Sequence, residues 1–119
     1  MNAPLLLHRL AHARAGDKGN RLNLALVCRV PEAYAPLAAQ VTPEAVAALF
    51  SARHPSKVVR YDLPNLGAFN FVLDDVLEGG VNASLGLDGH GKSLSFRLLE
   101  LELEPTEDVL RALRVIEDR

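Results

Sequence analysis

Arg14-Ala15-Gly16-Asp17-Lys18-Gly19-Asn20 crowds more hydrogen-bonding and charged groups together than any other stretch of this chain. Glycines at 16 and 19 free the backbone amides to turn towards an anion, Arg14 and Lys18 add positive charge, and Asp17 could orient them or move a proton. Such a set suits a carboxylate, another small anion or an acyl thioester. The same residues also make a tight connection, with Gly16 and Gly19 at positive φ, Asp17 and Asn20 closing side-chain-to-backbone turns, and Lys18 solvated. The segment is not a Walker loop, because it lacks that motif's glycine spacing and its Lys-Ser/Thr pair, and it is not a dinucleotide fingerprint.

Other groups are weighed in the same way. Asn70 shares a helical spacing with Leu66, Leu73 and Leu77, which would carry its amide towards the core. Left unpaired there it would cost about 1 to 3 kcal/mol, so it must bond a neighbouring backbone, brace the 14–20 segment or meet a ligand. Asp88, His90 and Lys92 sit together and could form an acid-base group or simply be turn residues. His8 and His12 fall on a strand-like stretch, where a separation of four puts them roughly 13 Å apart, too far for one metal ion. No metal and no cofactor are expected. Cys28 lies in an apolar run with nothing nearby to activate it, and no serine stands in a nucleophile-elbow context.

Periodicity shows which strands and helices carry these groups. Leu5 to His12 and Leu22 to Val30 read as strands flanking the polar loop at 14–20. Helical spacing runs through Pro31 to Gln40, and Thr42-Pro43-Glu44 offers an N-cap, a first-turn proline and an early acid for a second helix bearing Val46, Leu49 and Phe50. Lys57 to Leu63 reads as a strand. Leu66, Phe69, Leu73, Val76 and Leu77 then trace an amphipathic helix that Gly79-Gly80 would cap. Val81 to Leu87 and Ser93 to Glu104 predict an antiparallel hairpin turning at Gly89 to Lys92. Within its second strand the apolar set changes phase, from Leu94, Phe96 and Leu98 to Leu99, Leu101 and Leu103. That shift implies a β-bulge, or a leucine row facing a second layer or a partner. Pro105-Thr106-Glu107-Asp108 opens a terminal helix with Val109, Leu110, Leu113 and Ile116 on its apolar side. A helix this short must dock to persist. The order predicts an α+β sandwich, a mostly antiparallel sheet with helices on one face plus a C-terminal tail helix.

With 119 residues, 49% of them hydrophobic and 24% charged, the chain matches one globular domain with a substantial core. A formal charge of -2 without any basic run argues against a nucleic-acid surface. No stretch approaches the roughly 20 apolar residues of a membrane span. A single cysteine precludes an internal disulfide and fits a reducing compartment, so a cytoplasmic location is expected.

Ala13 to Asn20 followed by Asn23, then Val59-Arg60-Tyr61 with Leu63-Pro64-Asn65-Leu66, Asn70-Phe71, Gly79-Gly80-Val81, and Asp88 with Gly91-Lys92 together resemble the AtuA-like domain. That domain occurs at the C-terminus of acyclic terpene utilisation proteins and as a short separate chain. The resemblance runs from about Leu7 to Glu104 and implies a ferredoxin-like fold, so the chain divides into a domain over residues 1–104 and, outside the resemblance, a helical extension over 105–119. It also implies a link to breakdown of branched or terpenoid acids as coenzyme A thioesters, beside a larger AtuA-like partner chain or as a homo-oligomer. On that basis Asp17 and Lys18 are candidates for proton transfer and for carboxylate or thioester contact. Arg14, Gly16, Gly19, Asn20, Asn70, Gly79 and Gly80 are candidates for ligand binding. The alternative is a structural or oligomerisation module without chemistry, or a stand-alone small-molecule-binding domain.

Overall fold

A computed structural model describes residues 3–19, 21–76 and 90–118. Strands β2 (Ala11–Lys18) and β3 (Arg21–Cys28) form a hairpin, and β4 (Lys57–Leu63) and β5 (Ala68–Asp74) form another across the Pro64–Leu66 turn. They assemble into one antiparallel sheet of order β2-β3-β5-β4. A second small ladder pairs β1 (Leu5–Leu6) with β6 (Glu102–Leu103). The helices are α1 (Tyr34–Gln40), α2 (Pro43–Leu49), α3 (His90–Leu99) and α4 (Glu107–Glu117).

Alternation decides which side of the sheet they cover. Leu22, Leu24 and Leu26 on β3 and Phe69, Phe71 and Leu73 on β5 are fully buried and stand opposite one another in register. They meet Leu37, Val46, Leu94, Leu98, Val109 and Ala112 from the helices in one continuous core. Thr42 caps α2 as its sequence predicts, its hydroxyl accepting from the Ala45 N–H at 3.0 Å, with Pro43 in the first turn. Thr106 caps α4 in the same way. The tail helix does dock, burying Val109 and Ala112.

Four expectations are overturned. The helix expected over residues 66–77 is not formed: Ala68–Asp74 is strand β5, and Leu77 lies outside the described residues. Phe69 and Leu73 fit a helical face and a strand face alike. Phe71, which the helical set omits, completes a buried row of period 2, and the aromatic and β-branched content favours the strand. Leu66, expected on the helix's buried face, is 72% exposed, and Gly67 at φ 60° turns the chain into the strand. The Gly79-Gly80 cap lies outside the described residues.

Residues 93–104 are not one strand. His90–Leu99 is helical and only Glu102–Leu103 is extended, so the predicted hairpin loses its second arm; its first, Val81 to Leu87, lies outside the described residues. The phase shift marks the helix-to-strand boundary instead of a bulge. Leu94 and Leu98 are buried one turn apart while Phe96 is exposed, and Leu101 and Leu103 bury alternately in the chain's own core. The leucine row therefore packs against the chain's own core.

The polar segment at 14–20 is mostly not a loop. Arg14 to Lys18 continues β2 in full register with Arg21 to Ala25, and Gly19 begins the turn. Gly19 takes φ 60°; Gly16 is ordinary strand. Upstream, β1 and β2 are separated by a helical turn at Leu7–Arg9, where one strand was expected from Leu5 to His12.

Candidate functional site

The face of the sheet opposite the core carries its own ordered rows, because residues paired across antiparallel strands point the same way. Arg14, Ala25, Asn70 and Tyr61 form one row across all four strands. Gly16, Asn23, Val72 and Val59 form the next, and His12, Val27, Ala68 and Leu63 the row on the other side. At the centre the Asn70 Nδ2 donates to Asn23 Oδ1 at 3.2 Å, and both side chains are half-buried. An amide has two donors and an acceptor, so this single bond leaves donor capacity on both residues for a ligand carbonyl or carboxylate. The neighbouring positions are small: Ala25 sits between Arg14 and Asn70, and the space about Gly16 is open to at least 4 Å from an added Cβ. The result is a low polar floor, with the exposed Arg14 on one outer strand of the described sheet and the exposed Tyr61 on the other.

At the turn end of the sheet Arg21 Nε bonds Asp74 Oδ1 at 2.7 Å, and this carboxylate raises the guanidinium's pKa above its ordinary value. At the far end Arg29 donates to the His8 carbonyl and reaches His12 Nε2 at 3.1 Å. A guanidinium can only donate, so that contact needs His12 neutral with its proton on Nδ1.

The candidate residues from sequence divide between these places. Arg14, Gly16 and Asn70 share the open face. Asp17 pairs with Leu22, on the side of the sheet opposite Arg14, and is exposed at the strand's end. Lys18 closes β2 opposite Arg21, beside Gly19. Asn20, Gly79 and Gly80 lie outside the described residues, as do Asp88 and Gly89. Asn70 was expected towards the core with Leu73; as a strand residue it falls on the other face, and its partner is the Asn23 side chain.

Asn23, Ala25 and Tyr61 were not singled out as site residues. Strict alternation with Leu22, Leu24 and Leu26 would have placed Asn23 and Ala25 outward. Arg60 has a structural part. It donates to the carbonyls of Ala38 and Val41 at 2.7 and 3.0 Å, closing the end of α1, while Asp62 grips its other edge at 2.8 and 3.2 Å. Its guanidinium carbon lies 5.2 Å from the centroid of the Phe69 ring, which stacks on Tyr34.

A separate cleft of about 360 Å³ at the sheet's end is lined by Cys28, Arg29, Tyr34 and the 64–67 turn. Burial pushes the Cys28 thiol up to about 11, so it is no nucleophile at neutral pH. Among the described residues no cluster of His, Cys, Asp or Glu could hold a metal ion. Among them, too, no helix is long and apolar enough to cross a membrane.

Fold and surface together define an α+β domain of ferredoxin-like type, with one antiparallel sheet and helices over one face. The model of the AtuA ferredoxin-like domain family matches residues 5–104, and the chain belongs to that family. No curated protein and no solved structure matches it. The match ends before α4, whose Val109 and Ala112 are nonetheless buried in the shared core.

Proposed function

We propose that this domain acts as the accessory part of a larger AtuA-type assembly that handles branched or terpenoid acids as coenzyme A thioesters or related carboxylates, and that it contributes the open sheet face as a binding surface. One observation carries the reading: the Asn23–Asn70 amide pair sits at the centre of that face, beside two side-chain-poor positions and in line with an exposed arginine. An apolar sheet surface has no need of a half-buried amide pair. A carboxylate or thioester carbonyl does, because donors held by a rigid strand spend little ordering entropy when they bind it. Arg14 supplies the charge and the apolar Val27, Ala68 and Leu63 row accepts hydrocarbon.

Asp17 and Lys18, at the hairpin tip, are the groups offered for proton transfer and carboxylate contact in the assembly. Gentle purification from the native host, with mass spectrometry of the recovered chains, should return a large AtuA-type subunit. Recovery of the small chain alone would contradict the accessory role. In the complex, Asp17→Asn should lower turnover by at least tenfold, and an unchanged rate would remove Asp17 from the chemistry.

A structural or oligomerisation role would draw on Leu101, Leu103 and the tail helix, of which Leu101, Leu103, Val109 and Ala112 pack inward while Leu110 is exposed.

A further inference from the structure

Among the described residues β4 forms one edge of the sheet, and its last three residues, Tyr61, Asp62 and Leu63, are exposed. Large apolar side chains are exposed at the end of this strand and in the turn that follows it: Tyr61 is 54% exposed, Leu63 40% and, in the turn, Leu66 72%. Phe96 and Leu110, the other exposed ones described, lie on α3 and α4. Proteins normally blunt an edge strand with charge, proline or a bulge, because its free N–H and C=O groups recruit another strand. The end of β4 carries Arg60 and Asp62, already paired with one another, and Pro64 follows it, but exposed apolar side chains stand on either side of Asp62.

The direction of the free backbone groups follows from the ladder. Cys28 N–H donates to the Gly67 carbonyl at 2.9 Å, so Leu26, Leu24 and Leu22, of the same parity, exchange bonds with Phe69, Phe71 and Leu73. Asn70 and Val72 therefore bond towards β4, to Tyr61 and Val59. Val58, Arg60 and Asp62 direct their N–H and C=O groups out of the sheet edge, where no described strand pairs with them.

We infer that this edge pairs with the same edge of a second copy, antiparallel, about a two-fold axis at Tyr61. The register is selected by charge. With the axis at Tyr61, Arg60 lies opposite Asp62 of the other copy, and Asp62 opposite Arg60, so two ion pairs become a ring of alternating sign. An axis at Arg60 or at Asp62 would set like charges face to face. The same register places Arg60 and Asp62, the residues with free backbone groups, in mutually bonding pairs. On the open face it sets Tyr61 against Tyr61 and Leu63 against Val59, all contacts that bury aromatic or aliphatic surface. Such a contact is isologous and closed, as a two-fold dimer requires. It also joins the row Arg14, Ala25, Asn70 and Tyr61 end to end with its copy, making one binding face across eight strands. The inference rests on the edge alone and stands whether or not the face binds acyl thioesters.

Sedimentation equilibrium should find a dimer whose dissociation constant rises at least tenfold in Leu63→Lys, with the far-UV circular dichroism unchanged. At the two-fold, Tyr61 forms a pair without backbone bonds, whose Cα atoms lie about 4.5 Å apart, close enough for a disulfide. Tyr61→Cys should therefore cross-link under mild oxidation, and Phe96→Cys, equally exposed on α3, should not. This readout does not depend on a destabilising change. Protein that stays monomeric at every concentration overturns the inference, including the case where β4 binds only a different chain. A dimer that is indifferent to Leu63→Lys, or that fails to cross-link through Tyr61, overturns it too.

Discussion

Single side chains in this domain divide between those that hold it together and those that face outward. Arg60 belongs to the first group: two backbone carbonyls, one carboxylate and one aromatic ring depend on it. Arg60→Leu should lower unfolding free energy by about 2 to 4 kcal/mol in a denaturant titration, since it strips two part-buried carbonyls of their donor. Arg60→Lys should recover under half of that, because one ammonium cannot cover both the helix end and Asp62. Cys28 gives a pH test. Its thiol ionises near 11 in the folded protein against an ordinary 9.0. The stability tied to the buried thiol is therefore complete below pH 9 and is lost as pH rises towards 11. Iodoacetamide alkylation of the folded protein should accelerate with a midpoint near pH 11; a midpoint near 9 would mean that burial does not govern this thiol. Arg60 was visible in the sequence as part of a family motif, but its clamp was not, because both carbonyls it serves lie about twenty residues upstream.

At the scale of elements, legibility tracked how many periods a segment satisfied. Lys57–Leu63 and the Thr42 and Thr106 caps were readable because β-branched content and capping chemistry are local. Residues 66–77 misled because Phe69 and Leu73 fit a step of four and a step of two alike, and only the burial of Phe71 separates the outcomes. At 94–103 the sequence showed a real phase change. A helix ending at Leu99 and a bulge are equivalent explanations of it until packing chooses. The hairpin at 11–28 was obscured by polarity: Arg14, Gly16 and Lys18 look like loop, yet their partners Ala25, Asn23 and Arg21 alternate with three buried leucines. For α4, Thr106→Ala should cost about 1 kcal/mol by loss of the cap. Deleting residues 105–119 should cost several times more, since it uncovers the surface now buried by Val109 and Ala112. A truncated chain with an unaltered melting temperature would show that the tail helix adds nothing to the core.

Across the whole molecule, one sheet does two jobs with its two faces. The helix side supplies stability through continuous leucine and phenylalanine packing, and the other side leaves a shallow, polar-centred surface that none of the described helices covers. That division explains why the residues resembling the family motif split as they do. Phe71 and Arg60 point to the core, whereas Arg14, Gly16, Asn23, Tyr61 and Asn70 point away from it. It also explains why composition and charge were silent on function: the surface is built by register, which no count of residue types records. The most direct test is to follow backbone amide chemical shifts while titrating isovaleryl-coenzyme A into the protein. The account expects saturable shifts centred on Arg14, Gly16, Asn23, Ala25, Tyr61 and Asn70, weakened at least tenfold in Asn70→Leu. Shifts confined to the Cys28–Tyr34 cleft, or none at saturating ligand, would contradict it.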